Sequence, residues 1–76
     1  MEQQINSIIR NACIDIKLKP HNRKTIRQNY DHIFLAIKTS GYTDFVAHQW
    51  TMSTLSKLFG SIKVNNAVQY CEPVTV

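Results

Sequence analysis

Apolar residues change their spacing several times along this chain, and each change marks an element. Ile5, Ile8, Ile9 and Ala12 recur at helical intervals between Glu2 and Ala12, with Asn6, Arg10 and Asn11 on the other side. That pattern predicts a short amphipathic helix. From Ile14 to Lys19, apolar and polar residues alternate strictly, which is the period of a strand. Ile9, Cys13 and Ile16, at intervals of four and three, equally allow the helix to continue. Pro20 ends either element, because the residue before a proline is pushed out of helical geometry.

The next segment carries the clearest pattern. Ile26, Tyr30, Ile33, Phe34 and Ile37 make one apolar stripe, Asn22 precedes it as an N-cap, and Gly41 follows with Lys38 in the last turn. Glycine supplies a left-handed stop and a cation suits the negative helix end. A helix over 23–39 is predicted. Thr43 and Asp44 then open a short helix holding Phe45, Val46, Gln49 and Trp50. Thr51-Met52-Ser53, weak helix formers with capping ability, predict an interruption. Ser53 opens a further helix with Leu55, Leu58, Phe59 and Ile62 on one stripe, ended by Asn65-Asn66. Residues 67–76, AVQYCEPVTV, are β-branched and apolar and contain Pro73. They predict an extended or strand-like tail, or a short edge strand. The expected fold is therefore a small all-α domain of three or four helices with a short C-terminal strand as an option.

Composition narrows this picture. The chain has 76 residues, 43% hydrophobic and 18% charged, which suits one folded domain spanning 1–76. A chain this short buries only about 60% of its unfolded surface, so association with a copy or a partner is expected. No apolar run approaches the roughly 20 residues of a membrane span, and the polar N-terminus lacks a signal-peptide core. Cys13 and Cys71 lack metal or redox spacing. Two buried, reduced thiols in a cytoplasmic protein are expected.

Charge adds a candidate function. The net charge is +4, and KLKPHNRKTIR at 17–27 holds five of the nine Lys and Arg with no Asp or Glu. Lys17, Lys19, His21, Arg23, Lys24 and Arg27 thus surround the start of the second predicted helix. A helix start is already electropositive and ordinarily favours Asp or Glu. Cations there either splay into water or face an anion such as a phosphate backbone, which gains from both side chains and free amides.

Two family resemblances point the same way. Phe45, Val46, Ala47 and Trp50, followed by Leu55, Leu58, Phe59 and Ile62, resemble the helix-turn-helix pair over 43–64, with Ala47 small where two helices would cross. The resemblance implies that Ser53 and Thr54 open a recognition helix whose exposed positions are Lys57, Ser61 and Lys63. The same pattern also suits a plain helical hairpin. Separately, IDIKLK, the basic helix after it and SGYTDF look like a ribbon-helix-helix dimer, which would present Asp15, Lys17 and Lys19 to the DNA major groove.

Catalytic readings find little support. His21, His32 and His48 lack metal-ligand spacing, Asp15, Asp31 and Asp44 form no evident carboxylate pair, and Gly41 and Gly60 are the only glycines. No nucleophile signature and no phosphate loop is present. Neither enzymatic activity, a cofactor nor a metal is expected. The reading is a dimeric double-stranded-DNA-binding regulator or accessory protein. Thr54, Lys57 and Ser61 would face base edges, and Lys17, Lys19, Arg23, Lys24 and Arg27 would hold phosphates. The alternative is a small interaction module that binds an acidic protein surface, with the apolar tail adding a protein contact.

Overall fold

Four helices follow one another in the computed structural model, which describes residues 2–71: α1 (Glu2–Cys13), α2 (Arg23–Thr39), α3 (Asp44–Phe59) and α4 (Ser61–Cys71). No strand occurs among the described residues. The domain is all-α, as the helical periodicities predict.

α2 organises the packing. Its first turn is closed by Asn22, whose Oδ1 accepts the Thr25 N–H at 2.8 Å. Its end is closed by Ser40, with Gly41 following at φ +102°. Ile26, Ile33 and Ile37 are fully buried along one side. Each such side chain contributes about 1.5–3 kcal/mol relative to exposure. α2 packs against each of the other helices, and α3 also packs on α4. α1 contributes Ile5, Ile9 and Ala12 to the shared core.

The stretch from Ile14 to Lys19 is not a strand. Ile14 and Asp15 form a turn after α1, and residues 16–19 run on without a strand partner. Asn29 of α2 explains how that segment is held. Its side-chain amide accepts the Lys17 N–H at 3.0 Å and donates to the Lys17 carbonyl at 2.6 Å. The Lys19–Pro20 peptide is cis.

The interruption predicted at Thr51-Met52-Ser53 is also absent, and α3 runs through it. Ala47, Thr51, Leu55 and Phe59, each four residues after the last, form a continuous buried stripe. Weak helix formers cost up to about 0.7 kcal/mol each, less than burying one large apolar side chain. Thr54 remains compatible with the helix because its hydroxyl donates to the Trp50 carbonyl at 2.8 Å.

The break falls instead at Gly60, where φ is +96° and ψ is 140°. This region is essentially closed to residues with a Cβ. The kink resets the helical phase, so α4 buries Val64, Ala67 and Val68, while Ile62 is 77% exposed. Neither Ile62 nor Leu58, 40% exposed, joins Leu55 and Phe59 in the core as their shared spacing predicts. Asn65-Asn66 does not end the helix, and residues 67–71 are helical, not an extended tail. The rest of that tail, residues 72–76, lies outside the described residues.

Candidate nucleic-acid interface

The basic stretch is laid across the start of α2 by three local restraints. The Asn29 clamp fixes the backbone at Lys17. The Asn22 cap fixes the first turn of the helix. Between them the His21 ring meets the Phe59 ring edge-on, with centroids 4.9 Å apart. This last contact ties the approach to α2 to the end of α3, beside the Gly60 kink. Lys17, Lys19, His21, Arg23 and Lys24 are all exposed, and the first turn of α2 holds no Asp or Glu.

The kink brings α4 to the same place. Arg23 and Lys63 line one shallow depression of about 220 Å³ with His21, Asn22, Ile26, Asn66 and Ala67. Ser61, exposed at the start of α4, lies two residues from Lys63. The starts of α2 and α4 therefore share a basic face, where the free amides of helix starts add to the side-chain charge. Sequence spacing shows Arg23 and Lys63 separately. Their convergence, and the part played by Asn66, depends on the turn at Gly60.

Arg27 does not point to this face. Its guanidinium pairs with Asp31 at 3.5 Å and lies 5.9 Å from the Tyr30 ring centroid. Tyr30 in turn stacks on Phe34, and its hydroxyl lies 2.7 Å from His48 Nδ1, linking α2 to α3. Arg27 thus belongs to a structural cluster along α2.

Thr54, Lys57 and Ser61 do not share one helix face, because Gly60 separates the first two from the third. Thr54 and Lys57 line a different cleft of about 400 Å³ with Cys13, Ile14, Ile16, Leu18 and Leu58. Ser53 is exposed on α3 beside Gln49 and Trp50. A further depression of about 640 Å³ is lined by Gln4, Ser7, Ile8, Ser40 and Tyr42, none of them charged. Burial pushes the Cys13 thiol above its ordinary pKa, so at neutral pH it is protonated and a poor nucleophile. Among the described residues no His, Cys, Asp and Glu cluster could hold a metal ion, and no helix is long and apolar enough to cross a membrane.

No protein-family model, curated protein or solved structure matches this chain.

Proposed function

We propose that this protein binds double-stranded DNA through the phosphate backbone, using the face shared by the starts of α2 and α4. One observation carries the reading: residues far apart in sequence, Arg23 and Lys63, line one depression with His21, Asn22 and Asn66. Lys17, Lys19 and Lys24, near Arg23 in the chain, are exposed as well. Phosphate oxygens gain from such cations and from helix-start amides together. Because Thr54, Lys57 and Ser61 belong to two helices, insertion of one recognition helix is not part of the proposal. Binding is expected to depend more on backbone charge than on base sequence.

Fluorescence anisotropy with a random-sequence duplex tests this across a salt series. If roughly four phosphates are neutralised, log K should fall against log salt with a slope of about −3.6. Lys24→Ala combined with Lys63→Ala should weaken all duplexes similarly and make that slope shallower by about 1.8. Both side chains are exposed, so the helical circular dichroism should not change. Absence of binding at low salt, or a slope unaffected by the double substitution, would remove the reading.

A further inference from the structure

We infer that the connection between α1 and α2 is a docking edge for an extended partner-protein segment that alternates acidic and apolar residues. The backbone at Lys17 carries the first part of the argument. Its N–H and C=O both meet the Asn29 amide, so both point to the same side, as they do in an extended residue. An antiparallel strand neighbour exchanges the same two bonds with its opposite residue. Asn29 therefore acts as a one-residue stand-in for a strand on the α2 side.

In an extended chain the following residue directs its N–H and C=O the other way. At Leu18 that direction is away from α2. Neither group of Leu18 bonds to any described residue, and the side chain is 51% exposed. This is an open edge of the kind that accepts an added strand. Pro20 has no N–H and confines the pairing to the few residues before it.

The adjoining surface suits an apolar anchor. Ile14, Leu18 and Leu58 are exposed large hydrophobics, and all three line the cleft that also holds Lys57. Lys17 and Lys19 flank Leu18 in the chain, with Asp15 as the carboxylate of this stretch.

Charge selects the occupant. If two copies paired antiparallel about Leu18, Lys17 of each would face Lys19 of the other, and like charges directly opposite destabilise a strand pair. A segment reading acidic–apolar–acidic instead sets carboxylates opposite Lys17 and Lys19. Its apolar side chain then falls beside Leu18 over the cleft. The inference shares Lys17 and Lys19 with the exposed basic stretch but does not rest on DNA binding, whose carrying depression is at Arg23 and Lys63.

The test uses the full chain and a short fluorescent peptide of alternating Glu and Val. The peptide should bind, and the Leu18 amide should exchange more slowly by NMR when it does. Lys17→Glu with Lys19→Glu should weaken binding about tenfold or more, from two reversed cross-strand pairs. Leu18→Glu or Leu58→Glu should weaken it comparably, while Lys24→Ala with Lys63→Ala leaves it unchanged. All six sites are exposed, and helical circular dichroism confirms folding of each variant. Equal binding of an alternating Lys and Val peptide would overturn the inference, as would an unprotected Leu18 amide in the complex. Protection that rises with protein concentration alone would assign the edge to a second copy, and protection by duplex alone would assign it to DNA. Either result overturns the inference.

Discussion

Asn29 and Thr51 are both polar and both buried, at 3% and 0% exposure, yet they stand in opposite energetic positions. Asn29 satisfies two backbone groups of Lys17. The Thr51 hydroxyl finds no partner among the described residues. Removing a used hydrogen-bonding group strands its partner, whereas removing an unused buried hydroxyl abolishes a desolvation cost. Asn29→Ala should therefore destabilise the fold by about 1–3 kcal/mol, and Thr51→Val should stabilise it by about 1 kcal/mol. Urea midpoints would show the two shifts with opposite signs, and shifts of the same sign would contradict the account. The spacing of Ile26, Asn29, Ile33 and Ile37 places Asn29 on the core side of its helix from sequence. Its partner lies twelve residues away in a segment whose alternation reads as a strand, and pairing to a side chain has no sequence period.

At the scale of elements, one backbone angle decides how the second half of the chain folds. Nothing lies within 4 Å of a Cβ built on Gly60, so substitution there meets no steric obstacle. Its φ of +96° with ψ of 140° is the obstacle instead. Gly60→Ala should cost about 1–3 kcal/mol purely through backbone strain. Thermal or urea unfolding would read that loss, and an unchanged midpoint would show that α3 and α4 tolerate another junction. The ends of α2 were legible because Asn22 and Gly41 signal through local chemistry. The 51–53 interruption misled because Thr and Ser are only mildly unfavourable in a helix. The stripe of Ala47, Thr51, Leu55 and Phe59 outweighs them once α2 and α4 are packed against it. Ile62 shares the spacing of Leu55 and Leu58 but not their helix, because the glycine resets the helical phase.

For the whole molecule, charge is unevenly spread. The net charge is +4, five of the nine Lys and Arg fall in 17–27, and Arg23 of that stretch lines one depression with Lys63. Mutual repulsion between them is screened over about 10 Å at 0.1 M salt. The ion pairs Arg27–Asp31 and Lys38–Asp44, the latter at 2.6 Å, oppose this trend, but exposed pairs contribute only about 0.2–1 kcal/mol each. Raising sodium chloride from about 0.01 to 0.2 M should therefore raise Tm by about 2–4 °C, since 1 kcal/mol moves a domain of this size by about 4–8 °C. The Lys24→Ala, Lys63→Ala double variant should show a smaller rise. A Tm that falls with salt would mean that the ion pairs outweigh the basic face.

Helical period, capping chemistry and composition are local properties, so α1, α2, the start of α3 and the all-α class could be read along the chain. The cluster of cations at 17–27 could be read in the same way. Where α3 ends, which residues of 53–71 face inward, and whether Arg23 meets Lys63 depend on contacts between distant segments. Burying Leu55, Phe59, Val64 and Val68 against α2 sets those contacts. Neither intrinsic propensity nor spacing within a short window contains that burial. Gly60 was visible as a residue from the start. Its function as the hinge between two helices exists only when both have the core of α2 to pack against.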